Sequence, residues 1–147
     1  MKQKLCTYKG AVQTFECDSN RHMNVMYYVN KFELAGRNMS MEMGLNKAFM
    51  EPLHIGIAVV EHQILYKREV FEDDIIHVYS QVTASADKVF TVFHEMYNAE
   101  TNNLSATMLA KLVMFDMKER KAVSIPPEIR KNISRLIAWH FTQRLIF

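Results

Sequence analysis

The residues best suited to chemistry lie near the N-terminus, in the segment FECDSNRHMNVMYYVNKFELAG. It brings a carboxylate, an imidazole and a carboxamide close together in the chain, as Asp18, His22 and Asn24. A carboxylate can attack a carbonyl carbon or deprotonate the water that does so, and unpaired amides at a helix start can stabilise the resulting oxyanion. The segment is therefore suited to acyl transfer, and Asp18 is its carboxylate.

Other catalytic signatures are absent from the sequence. The chain has no G-x-S-x-G elbow, no P-loop, no G-x-G-x-x-G fingerprint and no H-E-x-x-H motif. Its two cysteines, Cys6 and Cys17, match no metal-binding or redox spacing, and we expect reduced thiols. Cys17 could act as a nucleophile beside Asp18, but no neighbour supplies a base or a positive field, so a small buried strand residue is the better interpretation. We expect no metal and no organic cofactor.

A strand, a loop and a long helix must position these residues. Residues 8–17 carry β-branched and aromatic side chains and predict a first strand that ends just before Asp18. After the loop DSNRH, apolar residues at helical spacing predict an amphipathic helix from Val25 to Leu45. Asn24 can cap its first turn, and Gly44 can adopt the left-handed conformation that ends it. The apolar stripe comprises Val25, Tyr28, Val29, Phe32, Ala35, Met39 and Met43.

The rest of the chain predicts a series of strands. After a loop around Pro52, residues 56–66 form an apolar run typical of a strand buried on much of both faces. Alternation of apolar and polar residues predicts three further strands, around 76–84, 90–97 and 104–114.

Short turns constrain how these strands are arranged. Turns at 72–74 and at Asp87-Lys88 would make consecutive strands neighbours in an antiparallel meander. The economical arrangement is an α+β fold in which a curved antiparallel sheet wraps around the long helix. Pro126-Pro127 opens a second, C-terminal helix with apolar residues from Ile129 to Leu145, which we expect to dock on the surface or on a partner subunit.

Length and composition exclude several classes of protein. A chain of 147 residues, nearly half of them hydrophobic, suits one domain over residues 1–147. Lysine and arginine number 18 against 16 acidic residues, so the basic stripe of a nucleic-acid-binding protein is missing. No apolar run approaches the length of a membrane span, and the N-terminus lacks the apolar centre of a signal peptide. We expect a cytoplasmic protein that binds neither nucleic acid nor membrane.

The chemistry-bearing segment also resembles a known family. Its pattern is similar to the D-x-x-G-H-x-N-N-x-x-Y signature of the 4-hydroxybenzoyl-CoA thioesterase-like hotdog proteins. The later strands and the proline-containing exit resemble that family in order and spacing, so the likeness covers roughly residues 8 to 130. The matching residues are Asp18, His22, Asn24, Tyr28 and the pair Phe32-Glu33.

The resemblance implies a hotdog homodimer, often a homotetramer, with active sites at the subunit interface and acyl-CoA or acyl-carrier-protein thioesters as substrates. Asp18 would be the nucleophile or general base, and backbone amides near Val25 would hold the thioester oxygen. His22 and Asn24 would orient the loop or the substrate. The chain departs from the signature at Arg21, where the family has glycine, and at Val25, where it has asparagine. Arginine resists the positive φ that glycine permits, which would alter the loop.

Simpler interpretations stand beside these. Asp18 could be only a turn residue that bonds the backbone two positions on. His22 could be a solvated loop histidine, and Asn24 a helix cap and nothing more. Tyr27 and Tyr28 could be core residues, although Tyr28 could also line an acyl pocket.

Basic residues and methionines could serve a substrate. Lys67 and Arg68 could bind the phosphates of CoA. Further basic candidates for the phosphates are Lys88, Lys118, Arg120 and Lys121. Methionines on the helix, Met39, Met41 and Met43, could line a pocket for a flexible acyl chain or could simply fill the core.

Several functions compete, and one of them is a purely oligomeric scaffold, in which the loop from Asp18 to Asn24 would have no pocket beneath it. The leading hypothesis is hydrolysis of an acyl thioester to a free acid and a thiol. A second is another thioester reaction on the same fold, such as dehydration, which needs a histidine with an acidic partner. A third is a non-catalytic hotdog module that binds acyl ligands, which the departures at Arg21 and Val25 keep open.

Overall fold

The computed structural model describes the backbone of residues 4–145 and the side chains of residues 4–137. Its elements in chain order are β1 (Leu5–Ala11), a 3-10 turn (Thr14–Glu16), α1 (Val25–Glu42), α2 (Lys47–Leu53), β2 (Ile55–Tyr66), β3 (Ile75–Ser85), β4 (Val89–Asn98), β5 (Leu104–Asp116), β6 (Lys121–Ala122) and α3 (Pro127–Leu145).

One curled antiparallel sheet carries the fold. Its strands lie in the order β1-β3-β4-β5-β2, and the short β6 pairs with β5. The buried stripe of α1, which includes Phe32, Ala35 and Met39, packs into the apolar core of this half-barrel. The predicted α+β hotdog architecture, a curved sheet around one long helix, is confirmed.

The ends of α1 follow their sequence signals. Asn24 caps the helix, since its side chain accepts a hydrogen bond from the Met26 amide. Gly44 has φ +84° and closes the helix in the left-handed region, as predicted. The prediction of a loop around Pro52 is wrong, because this segment contains the helix α2. Its first turn is capped by Asn46, which accepts from the Phe49 amide.

The first strand also corrects the prediction. We predicted a strand over residues 8–17, but β1 pairs with β3 only as far as Ala11 and Ile75. The chain then forms the 3-10 turn, which directs Glu16 into the interior, where it is 4% exposed. A strand cannot continue here because the Gln13 amide donates to the Glu16 carboxylate at 2.9 Å, which closes the chain into a turn.

The strand order holds a second correction. The meander of β3, β4 and β5 is confirmed, but β2 does not neighbour β3. It pairs with β5 from Ile55 to Tyr66, while β1 occupies the free side of β3. The connection 67–74 must therefore cross from one edge of the sheet to the other. Val70 is fully buried within it, and the Val70 carbonyl accepts a hydrogen bond from the Met23 amide at 2.7 Å.

The C-terminal helix α3 packs against β3, and its residues Ile129 and Ile133 are fully buried. The side chains of the predicted apolar positions Phe141 and Leu145 lie outside the described residues. Within the part of the chain that the structure describes, no helix is both long and apolar enough to cross a bilayer.

Candidate active site

A buried ion pair anchors the segment that carries Asp18. Lys31, on the first half of α1, is 4% exposed and donates to Glu16, which is equally buried. Burial favours a lower pKa for Lys31, but the hydrogen bonds and charges of Glu16 and Tyr8 together outweigh it, so the pKa is raised. The Glu16 carbonyl also accepts from the Asn24 amide at 2.8 Å. The start of the loop is thereby tied to the start of the helix.

Backbone hydrogen bonds fix the loop itself. The Asp18 amide donates to the His22 carbonyl at 3.0 Å, and the Arg21 amide donates to the Asp18 carbonyl at 2.9 Å. Arg21 adopts φ +65°, so it takes the left-handed conformation that we expected arginine to resist. The Asp18 carboxylate accepts from the Asn20 amide at 2.8 Å through one oxygen. The turn role of Asp18 is therefore present, and it leaves the second carboxylate oxygen available.

His22 lies between two carboxylates. Its Nε2 is 3.4 Å from Asp18 Oδ2, and its Nδ1 is 2.9 Å from Glu69 Oε1. The hydrogen bond to Glu69 and, to a lesser degree, the charge of Asp18 raise the pKa of His22 above its ordinary value. The imidazolium form is therefore favoured beside the Asp18 carboxylate.

The helix start presents a free donor. The Met26 amide bonds the Asn24 side chain, and the Tyr27 amide bonds the Asn24 carbonyl at 2.9 Å. The Val25 amide has no hydrogen-bond partner among the described residues. An unpaired amide at the positive end of a helix can stabilise an oxyanion. Asn24 itself is occupied as a cap and does not line the cavity described next.

A cavity of about 410 Å³ joins these groups, and we call it the Asp18 cavity. Six of the seven predicted site residues line it, and Asn24 is the exception. Three residues that the sequence analysis did not select also line it. The lining consists of Asp18, His22, Met23, Val25, Tyr28, Tyr66, Lys67, Arg68 and Glu69.

Two tyrosines form one wall of the cavity. Tyr28 is buried and packs edge-on against Tyr66, with ring centroids 5.1 Å apart. Burial raises the pKa of Tyr28 to about 12, so its hydroxyl remains a neutral donor at physiological pH. Tyr28 is thus packed in the core and also lines the cavity.

The predicted phosphate-binding residues separate into two groups. Lys67 and Arg68 are exposed at the cavity, where both backbone amides donate to the Ser105 carbonyl. The other basic candidates lie at the β3–β4 turn, as Lys88, and around the β5–β6 turn, as Lys118, Arg120 and Lys121. None of these four lines the cavity.

Glu69 is a cavity residue that the sequence analysis did not select, and it contacts His22. It lies in the crossing connection 67–74, which we had interpreted as a short link between neighbouring strands. A link of that kind would hold Glu69 away from Asp18. Its only sequence signal is its place beside Lys67 and Arg68 in the segment YKREVFEDD.

Cys17 does not have the character of a nucleophile. Burial and the nearby carboxylates of Glu72, Asp18 and Glu16 raise the pKa of its thiol. Among the described residues, no cluster of three or more histidines, cysteines and carboxylates could hold a metal ion.

Comparison with known proteins relates the fold to a family. Residues 12–133 match the sequence model described as the thioesterase-like superfamily. The protein SAV2348 from Staphylococcus aureus, solved in complex with CoA, superposes with a TM-score of 0.85 at 18% identity, covering 92% of this chain and 85% of that chain. The sequence matches no curated protein.

Two further structures superpose comparably. The DHNA-CoA thioesterase from Staphylococcus aureus has a TM-score of 0.83 at 20% identity, with 92% of each chain covered. The probable thioesterase YbaW from Escherichia coli has a TM-score of 0.76 at 19% identity, covering 90% of this chain and 99% of that chain. At these identities the superpositions establish the shared fold.

Proposed function

This chain belongs to the thioesterase-like superfamily, and from that premise we propose that it hydrolyses an acyl-CoA thioester in the Asp18 cavity. One observation carries the proposal. The cavity combines a half-buried carboxylate, Asp18, with the unpaired backbone amide of Val25 at the start of a helix. Those two groups supply what hydrolysis of a thioester requires, a base or nucleophile and an oxyanion donor.

In the general-base route, Asp18 removes a proton from water as the oxygen bonds to the thioester carbonyl carbon. The Val25 amide stabilises the tetrahedral oxyanion. When the oxyanion collapses, the carbon–sulfur bond breaks, and the thiolate takes the proton that Asp18 holds. In the nucleophilic route, Asp18 bonds to the carbonyl carbon and expels the thiolate, and water then hydrolyses the mixed anhydride. A positioned base contributes about 10²–10⁴ in rate, and one oxyanion donor contributes about 10²–10³.

His22 and Glu69 position the carboxylate. Nε2 of the His22 imidazolium lies 3.4 Å from Asp18 Oδ2. On the other side of the ring, Nδ1 lies 2.9 Å from Glu69 Oε1. The two contacts hold the His22 ring against the carboxylate of Asp18. Asn24 contributes by capping α1, which fixes the direction of the Val25 amide.

Two observations support CoA as the carrier of the acyl group. Lys67 and Arg68 are exposed beside the cavity, where they can bind phosphate oxygens. The related structure from Staphylococcus aureus is a complex with CoA. An acyl-carrier-protein thioester would also present a phosphate, so both carriers belong in a substrate test.

We also propose a homodimer, or a homotetramer built from it, that pairs through β2. This strand is an edge of the described sheet and exposes the apolar residues Val60 and Leu65, by 56% and 53%. A long apolar edge strand favours pairing with a second chain. Light scattering should give a dimer or tetramer for the wild type and a monomer for Val60→Lys. A monomeric wild type would contradict the assembly.

The test is hydrolysis of a panel of aliphatic and aromatic acyl-CoA thioesters, measured by thiol release, with acyl-carrier-protein thioesters of the same acids. The wild type should turn over at least one substrate, and Asp18→Asn should lower kcat by about 10²–10⁴. Asp73→Asn is the matched control, since it makes the same chemical change in the crossing connection without touching the cavity. Equal rates in the wild type and Asp18→Asn would remove Asp18 from the mechanism.

Two alternative functions would give different outcomes. A non-catalytic module would bind acyl-CoA and hydrolyse none of the panel, in keeping with the turn role of Asp18. A dehydratase needs a histidine with an acidic partner, and His62 lies 3.4 Å from Glu33 on the helix side of β2. It would release water from a hydroxyacyl thioester without thiol release, and Glu33→Gln would abolish that activity.

A further inference from the structure

A second cavity, of about 510 Å³, follows the first along α1. The Asp18 cavity lies beside Tyr28 of α1 and Tyr66 of β2, whereas this one reaches Gly36 and Ile57 on the same two elements. From Tyr28 to Gly36 the helix rises about 12 Å, at 1.5 Å per residue. The two cavities therefore occupy successive parts of one trough between α1 and the β2 edge of the sheet.

The second cavity is lined mainly by apolar side chains and contains one buried polar group. Methionines and aliphatic side chains of α1, α2, β2 and β5 form much of its wall, among them Met41, Met50, Ile57 and Leu112. Its other polar lining residues are Glu33, Arg37, Asn38, Ser40, Asn46 and Lys47. The polar group is His94 of β4, which is 2% exposed and packs against Phe32, with ring centroids 5.9 Å apart. We call this the His94 cavity.

A chain of hydrogen bonds runs from His94 across two strands to β1. His94 Nδ1 lies 2.6 Å from Ser80 Oγ, and Ser80 Oγ lies 2.6 Å from Thr7 Oγ1. Thr7 Oγ1 in turn donates to the Val78 carbonyl at 3.2 Å. Thr7 and Ser80 are buried, so water does not compete for these bonds.

The chain determines which nitrogen of His94 carries the proton. A carbonyl can only accept, so the Thr7 hydroxyl proton is used in the bond to Val78. In the arrangement that keeps this bond, Ser80 donates its own proton to Thr7. The bond between Ser80 and His94 is left with one possible donor, the N–H at Nδ1. A neutral imidazole has a single N–H, so Nε2 of His94 carries a bare lone pair.

His94 stays neutral under physiological conditions, because burial, assisted by the nearby His62, lowers its pKa to about 4. In the hydrogen bonds of the described residues His94 takes part only through Nδ1, so Nε2 has no partner. Because His94 lines the cavity, a ligand that brings a donor can satisfy this acceptor.

We propose that the His94 cavity receives the acyl group of the thioester and selects acyl groups that carry a hydroxyl, which donates its hydrogen bond to Nε2 of His94. The inference rests on the proposed function and adds the substrate class. Along the helix, Phe32 beside His94 lies about 6 Å beyond Tyr28, so the hydroxyl belongs some way from the thioester carbonyl. A methyl or methoxy group at that position offers no donor and leaves Nε2 unpaired.

The experiment measures binding rather than turnover. Asp18→Asn, which should not consume its ligand, is titrated calorimetrically with matched acyl-CoA thioesters that end in a methyl, a hydroxyl or a methoxy group. The series covers hexanoyl to decanoyl chains and phenylacetyl with its para-substituted forms. The best hydroxylated ligand should bind about tenfold to a hundredfold more tightly than its two counterparts.

Variants locate the source of this preference. His94→Phe keeps a ring and removes the acceptor, so the ratio of dissociation constants should fall to about one. Ser80→Ala removes the partner of Nδ1 and lets the proton move to Nε2, so the preference should shift from the hydroxyl towards the methoxy ligand. Thr83→Ala removes an exposed hydroxyl from the same strand, β3, and should leave the ratio unchanged.

Nitrogen NMR of the wild type tests the tautomer without any ligand. We expect a protonated Nδ1 and an unprotonated Nε2 for His94, and the reverse would overturn the proposal. A hydroxyl preference below tenfold, no binding, or a preference that survives His94→Phe would also overturn it. Selective binding by a wild type that hydrolyses nothing would leave this inference standing while the proposed function fails.

Discussion

The two cavities of the trough differ in how their polar groups are held. The Asp18 cavity carries charged, partly exposed groups, Asp18 and His22, whose positions depend on backbone hydrogen bonds of one short loop. The His94 cavity has one buried polar group, the neutral His94, which is held by Ser80 of β3 and through it by Thr7 of β1. A charged group can stay ionised where solvent and counter-charges reach it, whereas a buried group is stable only when it is neutral and hydrogen-bonded.

This difference suits the two cavities to different steps, bond breaking in one and selection of the acyl group in the other. Charge at the helix start suits bond breaking, because charge develops on the thioester oxygen and on the leaving sulfur. A neutral acceptor in an apolar cavity suits selection, because it penalises a ligand that lacks a donor. The trough between α1 and β2 thus places chemistry at one end and recognition farther along.

The largest effect is expected at the buried ion pair of Lys31 and Glu16, which anchors the loop that carries Asp18. Lys31→Met should leave the buried Glu16 without its counter-charge and lower the free energy of unfolding by about 3–5 kcal/mol. Urea denaturation measures the change. The matched control is Lys111→Met in the exposed pair Lys111–Glu61, where the loss should stay within about 1 kcal/mol. Equal losses at both sites would show that the anchor is not a buried pair in solution.

A smaller effect concerns the charge beside Asp18. The pKa of His22 is raised above 6.5. The charged form of His22 is therefore present at low pH and is lost as the pH rises through this raised pKa. Activity that depends on the charged form should be lost over the same range. Glu69→Gln removes the larger cause of that shift. The alkaline limb of the kcat/KM profile should therefore move to lower pH, while His94→Phe should leave that limb in place. An unmoved limb in Glu69→Gln would separate Glu69 from the mechanism.

The smallest effect concerns the backbone of the loop. Arg21 has φ +65°, which costs a side-chain-bearing residue about 1–2 kcal/mol. Arg21→Gly should relieve this strain, and the greater freedom of glycine in the unfolded chain offsets part of the gain. The expected result is a stabilisation of up to about 1 kcal/mol in urea denaturation. A clear loss of stability would mean that the arginine side chain makes contacts that outweigh the strain.

The same comparison explains what could be predicted from the sequence. The groups around Asp18 lie close together in the chain, and helix signals such as Asn24 and Gly44 act on near neighbours. Patterns of that kind are local and can be recognised in one sequence. The curved sheet around α1 also followed from the change between helical and strand periodicity.

The features that the sequence analysis missed depend on contacts between residues that are far apart in the chain. Glu69 reaches His22 only because β2 pairs with β5 and forces the connection 67–74 across the sheet, and no local pattern specifies that pairing. The buried pair of Glu16 and Lys31 depends on a 3-10 turn where alternation indicated a strand. The chain that orients His94 depends on the register of three strands, which no single segment determines.

The most direct test of this account compares the two cavities in one set of assays. Values of kcat/KM are measured for a hydroxylated acyl-CoA and its unsubstituted counterpart, in the wild type, Asp18→Asn and His94→Phe. We expect Asp18→Asn to lower both values by the same large factor, about 10²–10⁴, and to preserve their ratio. We expect His94→Phe to bring the ratio to about one. Wild-type rates in Asp18→Asn would contradict the central claim that Asp18 carries the chemistry.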